Sequence, residues 1–528
     1  MSEPAAAPGS APDGSAPDGS APDGGAAAGT PSSVGRTTSY LQRIAELNPA
    51  LGAVITVSPG ALDEAAALDE AAARDQEGPR GPLHGVPVLI KDNIDVRGLP
   101  ATAGSPALGG TDYRGDAFLV TRLREAGAVI LGKANLSEWA NFRSYRSTSG
   151  WSTLGGQAAN PHALDRNPSG SSSGSGVAVA AGLAPLAVGT ETDGSIVCPA
   201  SACGVVGIKP TLGLVSRRGI VPISAAQDTA GPMARTVAEA AALLGVLAGP
   251  DPEDPVTAAA EGRPADYTAF LDAGALAGAR LGVWRDGCPE AGDTIMAVLD
   301  QALDVVRDLG ATVLDPVELP GAAGIGDPEF TSLLHEFKRD INGYLRALPG
   351  PAPRSLAELI AFNLRNGPAV LAHFGQEIFL RAEATSGDPA DPAAQAARAE
   401  ATSRAREALD GPLASRRLDA IVTLTANPAS LTDYVLGDNG VFHTSGPSAV
   451  AGYPAISVPA GQVSGLPVGL SFLGPAWSEP ALIALAYSFE QASQALSWPS
   501  LQATLPATTV PAPGGRSGSL RSWTPGAA

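Results

Sequence analysis

The chain has 528 residues, 44% hydrophobic and 16% charged, with 53 acidic against 34 basic side chains and a net charge of −19. That length supports a large core, and the acidic balance argues against a nucleic-acid partner. Three cysteines (Cys198, Cys203, Cys288) supply neither a disulfide framework nor zinc-site spacing, five histidines form no metal-binding pattern, and no apolar run reaches the roughly 20 residues of a membrane span.

Residues 1–33 repeat GSAPD three times between Gly9 and Asp23 and hold almost no bulky apolar groups. Such a composition cannot bury enough surface to offset ordering entropy, so a disordered tail is expected. It has no basic n-region and no apolar h-region, so it is no signal peptide, and a cytoplasmic location is the default. From Thr37, Tyr40, Leu41, Ile44 and Leu47 recur at helical spacing, and Asn48-Pro49 is expected to stop that helix. Ala53 to Val57 reads as a strand and Ala61 to Ala73 as a helix. Gly85 to Ile90 is a buried strand that ends on Lys91. An ammonium at the end of an apolar strand is costly to bury. One reading is a snorkelling lysine paired with Asp92 or Asp95.

Val120 to Ala126 reads as helix, Ala128 to Gly132 as strand, and 155–169 as a loop with two Asn-Pro turns. Val177 to Gly182 opens a helix, and Leu186 to Val188 and Gly204 to Ile208 are strands. Thr236 and Glu239 form a capping-box pattern before a helix ending near Leu247. Ala279 to Trp284 and Ala311 to Leu314 are strands around a helix from Thr294 to Leu309. Residues 330–408 are mostly helical and suit a cap beside a site. Strands at Ala420–Leu424, Ala455–Val458 and Val468–Phe472 precede a closing helix, Pro480–Ala495. Residues 504–528 are Pro/Gly/Ser-rich and expected to be disordered. The alternation points to an α/β fold with a mixed sheet between helical layers, one domain spanning 34–503 between two tails.

The most informative stretch, Ser169 to Gly213, reads SGSSSGSGVAVAAGLAPLAVGTETDGSIVCPASACGVVGIKPTLG. A Gly/Ser run opens directly into an Ala/Val run, and a second small-residue turn, Thr190 to Ser195, ends a short apolar segment. Gly/Ser runs are commonly linkers, but this one is embedded between apolar segments. A phosphate loop is excluded, because no G-x-x-x-x-G-K-[ST] is present. Glycine turns that feed helices leave backbone N–H groups pointing outward. Two hydroxyl clusters, Ser171 to Ser173 and Ser195, therefore sit beside free donors, which is what acyl transfer needs: a nucleophile and an oxyanion hole. No G-x-S-x-G with a histidine partner supports a Ser-His-Asp triad.

This stretch resembles the signature of the amidase signature family, serine hydrolases that cleave amides. The resemblance runs from about Thr37 to Gln491. It is closest to the bacterial peptide amidase branch through LLHEFKRDINGYL, RSLAELIAFN, FGQEIFL and AVAGYPAISVP. It implies one α/β domain, a large mixed twisted sheet flanked by many helices on both faces. It also implies a Ser–cis-Ser–Lys triad: Ser195 in TETDGSI as nucleophile, Ser171 in SGSSSGSG as the bridging serine after a cis peptide from Gly170, and Lys91 in HGVPVLIKDNID as base. Backbone N–H groups of Thr192, Asp193, Gly194 and Ser195 would form the oxyanion hole. The Asp193 side chain is expected to meet a cation or cap a turn. Ser172 is expected to bond within the site, and Tyr145 to line the acyl pocket. A small peptide amide or other amide is the implied substrate, with no cofactor or metal, no nucleic acid or membrane, and a monomer or homodimer. Around Thr423 to His443 the sequence departs from the peptide amidase pattern, which leaves side-chain preference open. Alternatives are an amidotransferase subunit, an amide-forming or small-molecule amidase of a biosynthetic pathway, and an inactive binding protein.

Overall fold

The computed structural model describes residues 32–74, 81–110 and 115–505. The two expected tails lie outside the described residues except at their inner ends. There Ser32 caps the first helix by accepting from the Gly35 N–H at 3.1 Å, and the Thr504 hydroxyl donates to Asp165 at 2.6 Å.

An eleven-stranded mixed sheet forms the centre. Across the sheet the strands run Val54–Val57, Val129–Ala134, Pro87–Lys91, Leu186–Glu191, Thr229–Ala234, Val206–Lys209, Ala455–Val463, Leu466–Leu473, Ala420–Leu424, Arg280–Val283 and Thr312–Leu314. The two strands that matter most, Pro87–Lys91 and Leu186–Glu191, are parallel neighbours with Ile90 opposite Val188. Their carboxyl ends therefore finish side by side, where α/β sheets characteristically place their ligand crevices. Both are buried on both faces, which is why they read as continuous apolar runs. Val88 and Ile90 enter one core, with the helices Val237–Leu247, Asp293–Asp308 and Glu479–Ser493. Leu89 enters the other, with Ser33–Leu51, Ser173–Ala180 and Val197–Cys203. Strand alternation carries Lys91 to the same face as Leu89 and sends Asp92 the other way.

That alternation settles the lysine question. Asp92 pairs with Lys133 at 3.4 Å, and Lys133 also donates to the Pro100 carbonyl at 2.9 Å. Among the described residues no carboxylate lies within ion-pair distance of Lys91, whose neighbours are hydroxyls and a carbonyl. The linker reading of the Gly/Ser run, set aside in the sequence, fails in the structure as well. All eight residues of Ser173–Ala180 are buried, and a Cβ on Gly174 would meet the Ala53 carbonyl oxygen at 2.3 Å.

Three local expectations differ. The first helix starts at Ser33 rather than Thr37 and runs through Pro49 to Leu51, closing on Gly52 at φ 58°. The Asn48 side chain, instead of ending the helix, bonds both backbone groups of Val54 and sets the first strand. The central strand Thr229–Ala234, sequence TAGPMA, has no signal in its residues, since glycine and proline read as a turn. Pro232 is accommodated because the ladder to Val206–Lys209 reaches only Ala234 and Met233. Residues 326–416 carry the expected helical layer, whose helices Gly326–Ala347, Leu356–Arg365 and Glu377–Glu383 share a separate core with Trp139 and Phe142. Among the described residues no helix is long and apolar enough to cross a membrane.

Replacing Lys133 by Met leaves Asp92 buried without its cation. The expected loss is about 3–5 kcal/mol of stability, read as a lowered urea midpoint with an unchanged slope. A midpoint within experimental error of the parent would show that this pair does not hold the strand end.

Candidate active site

Lys91 is fully buried. Its amine lies 2.8 Å from Ser171 Oγ, 2.9 Å from Ser172 Oγ, 2.9 Å from Thr190 Oγ1 and 3.1 Å from the Thr190 carbonyl. Burial pushes its pKa well below the ordinary lysine value, against the opposing pull of Glu191 and Asp228. A buried amine held by neutral oxygens rather than a carboxylate is the environment that favours the uncharged, proton-accepting form.

The Gly/Ser run delivers its hydroxyls to this amine. The peptide Gly170–Ser171 is cis. Ser172 is the structural hinge: its Oγ donates to the Thr190 carbonyl at 3.0 Å and accepts from the Thr190 N–H at 3.1 Å. Its own N–H donates to the Ser195 carbonyl at 3.0 Å, so it ties the lysine, the strand end and the following turn together. Ser171 and Ser195 line one narrow crevice, Ser171 completely buried and Ser195 8% exposed.

The turn Thr192–Ser195 presents its backbone. Gly194 sits at φ 80°, where a side chain would be strained. None of the N–H groups of Thr192, Asp193, Gly194 and Ser195 donates to a described residue, so the turn offers a set of unclaimed donors. Groups behind it hold it in place. Glu191 Oε2 accepts from Ile196 N at 2.7 Å and Val197 N at 3.0 Å. Asp228 accepts the Thr192 hydroxyl at 2.6 Å while its other oxygen takes the Ile223 and Ser224 amides at 2.8 and 2.9 Å. Burial raises the Asp228 pKa to about 6. Gln227 donates to the Thr192 carbonyl at 3.2 Å and to Glu329 of the helical layer at 2.8 Å. Burial, with the nearby Asp193 charge, raises the Glu329 pKa to about 8. Glu191, Gln227, Asp228 and Glu329 were missed in the sequence. Gln227 and Asp228 belong to a segment with no apolar periodicity, and only an acid shortly before a helix start could have pointed to Glu191.

The Asp193 side chain meets neither the expected cation nor a backbone turn. It accepts from the Ser445 hydroxyl, which in turn lies 3.0 Å from His443 Nδ1. Asp193, Gly440, Phe442 and His443 line both of two adjoining cavities, one of about 270 Å³ reaching Ser169 and Gly170. The other, of about 970 Å³, is walled by Trp284, Glu329, Phe330 and Leu333, so the helical layer does stand beside the site. Tyr145 is not brought in: it is 55% exposed, packs on Phe330 and takes the Arg381 guanidinium on its hydroxyl.

The Amidase family pattern matches residues 36–483. A probable amidase of Arabidopsis thaliana is 43% identical over 463 residues, covering 86% of this chain and 85% of that one. The structure is similar to that of the native peptide amidase from Stenotrophomonas maltophilia, with 51% identity, a TM-score of 0.85, and 90% and 96% of the two chains covered. A glutamyl-tRNA(Gln) amidotransferase component from Thermotoga maritima is more distant, at 28% identity and a TM-score of 0.66 over 89% and 95%.

Substituting Lys91 by Met separates the two consequences of this arrangement. The folded lysine binds fewer protons than the unfolded one at any pH between its depressed pKa and the ordinary lysine value. Its burial therefore costs stability that returns only as pH rises through that window. Lys91→Met is expected to lose turnover and to melt a few degrees higher at neutral pH. In the parent, turnover is expected to rise with pH as the amine deprotonates. Calorimetry and a pH–rate profile test both, and a variant that melts lower or stays active would contradict the reading.

Proposed function

The chain belongs to the amidase family and is an amidase acting on carbon–nitrogen bonds, and from that premise we propose that it hydrolyses a primary carboxamide through an acyl-enzyme on Ser195. The observation that carries this reading is the 2.8 Å contact from Lys91, whose pKa burial depresses, to Ser171. Lys91 takes a proton from Ser171, and Ser171 takes one from Ser195 as its oxygen attacks the amide carbon. The developing oxyanion is met by the backbone donors of 192–195; losing one such donor typically costs about 10²–10³ in turnover. The proton returns along the same path to the departing nitrogen, ammonia leaves, and water deacylates Ser195 by the reverse relay. Residues 34–503 constitute the catalytic unit.

For the substrate we infer a peptide C-terminal carboxamide. The supporting likeness is to a peptide amidase at 51% identity, against 28% for the amidotransferase component. The two adjoining cavities provide room for a short peptide on the acyl side. Thr423 to His443, where the chain departs from the expected pattern, supplies Asn427, Phe442 and His443 to that wall, so this segment sets side-chain preference.

A fluorophosphonate probe is expected to label the wild type on Ser195 and to leave Ser195→Ala unlabelled; a label on another serine in the active protein would remove Ser195 from its role. With a peptide amide, its free acid and a one-residue extension as substrates, ammonia is expected only from the amide, with internal bonds spared. Internal cleavage seen by mass spectrometry, or no ammonia from any peptide amide, would favour the small-molecule or biosynthetic alternatives.

A further inference from the structure

Two buried acceptor atoms near the candidate nucleophile have no hydrogen-bond partner, although the buried Lys209 ammonium acts on the Glu191 carboxylate. Asn93 is 3% exposed and Glu191 1%. Asn93 uses its Nδ2 to reach Thr190 Oγ1 at 2.9 Å, which leaves Oδ1 unbonded. Glu191 spends Oε2 on the Ile196 and Val197 amides, which leaves Oε1 unbonded. Buried acceptors are nearly always satisfied, and an orphan is costly to keep. Both residues line the same crevice as Ser171 and Ser195, with Ile223 and Asp228 also on its wall. Its volume is about 10 Å³, the space of one water-sized molecule.

We propose that this crevice is the leaving-group pocket: it takes one ammonia-sized donor, whose N–H bonds go to Asn93 Oδ1 and Glu191 Oε1, and thereby restricts the enzyme to primary carboxamides. The proposal rests on the hydrolase reading above. In the acylation step the bond from Ser195 Oγ to the carbonyl carbon forms and the carbon–nitrogen bond breaks. The proton released by Ser195 passes by way of Ser171 and Lys91 to the departing –NH₂, which leaves as neutral NH₃. The carboxamide –NH₂ already carries two donors for two waiting acceptors, so bound substrate satisfies groups that are orphaned without it. A single N-methyl group replaces one of those donors and adds a heavy atom to a space that holds one. The pocket thus discriminates by unmade hydrogen bonds and by volume together, which is a stronger filter than either alone. The acyl side is unconstrained by it, because the two larger cavities share no lining residue with the crevice.

The test compares one acyl group as its primary amide and its N-methylamide, for example N-acetyl-leucinamide and its N-methyl derivative, in the full-length enzyme. Wild type is expected to favour the primary amide by about 100-fold or more in kcat/KM. Asn93→Ala, which removes one acceptor and adds space, is expected to lower kcat/KM on the primary amide and narrow that ratio about tenfold. Ile223→Ala touches no polar group and is expected to narrow the ratio by raising N-methylamide turnover. Comparable cleavage of both amides by wild type overturns the pocket while leaving the hydrolase reading intact. So does an unchanged ratio in an Ile223→Ala enzyme that still releases ammonia. If wild type takes the fluorophosphonate on Ser195 but releases ammonia from no carboxamide, the hydrolase reading falls, and the pocket with it.

Discussion

The rest of the site depends on burying one ammonium-bearing side chain without giving it a carboxylate. Lys91 and Lys133 make the point as a pair: both are fully buried, and they lie on neighbouring parallel strands. Lys133 has an ion partner in Asp92 and two backbone carbonyls, the usual way to tolerate a charge in a core. Lys91 has hydroxyls and one carbonyl. Glu191 and Asp228 act on it only at a distance, pulling its pKa up without cancelling the effect of burial. A salt bridge in their place would keep the amine protonated and unable to accept a proton. The strand end, the Gly/Ser run that must approach it closely, and the small-residue helix behind that run all follow from surrounding this amine with neutral oxygens.

The same logic extends to the turn before Ser195. Its amide donors are unclaimed in front because its carbonyl and side chains are claimed behind. Glu191 caps the following helix, Asp228 holds the Thr192 hydroxyl, and Gln227 holds the Thr192 carbonyl. Donors fixed in this way need little reorganisation when charge develops on a substrate oxygen, which is the efficient form of electrostatic stabilisation. Gln227 also reaches Glu329 and accepts from Arg398, which pairs with Glu336. The helical layer is thus bonded to the back of the turn, so its packing bears on the geometry of the donors as well as on the width of the cleft.

What the sequence disclosed and what it hid divide along physical lines. A lysine closing an apolar strand, and a Gly/Ser run leading into a buried helix, both contradict the ordinary preference of those residues, and such contradictions are readable locally. The cis peptide before Ser171 is present where the resemblance placed it, and the mixed sheet with helices on both faces is as expected. Thr229–Ala234 was hidden because its place in the sheet depends on a neighbour ladder ending before Pro232, a tertiary fact. Pro49 did not end its helix because it lies in the last turn, where little remains to break. The Asp193–Ser445–His443 chain joins residues about 250 positions apart, beyond any local pattern. Tyr145 was placed in the pocket by position alone, and its ring belongs to the rim contact with Phe330 and Arg381.

The segment that departs from the expected pattern is bonded to the chemistry more tightly than a surface loop would be. Asp438 accepts from the Ser149 amide at 2.8 Å and from Asn167 Nδ2 at 2.7 Å. Asn167 Oδ1 accepts from the Ser169 N–H at 2.7 Å, one residue before the cis peptide. The Asn167 N–H itself donates to the Ser430 carbonyl at 2.8 Å. A chain of hydrogen-bonded residues therefore runs from a loop whose Val435 and Leu436 are exposed to the strand of backbone that positions Ser171. Changes in that loop act on two things at once: the wall of the adjoining cavities and the placement of Ser171. The shape of those cavities and the backbone geometry at Ser171 are consequently coupled. The narrow crevice at Asn93 is formed by the sheet ends and the segment around Ile223, to which this loop contributes no lining residue. The wall of the two larger cavities is thus open to variation in this loop, while the narrow crevice is lined by the same elements that hold Lys91.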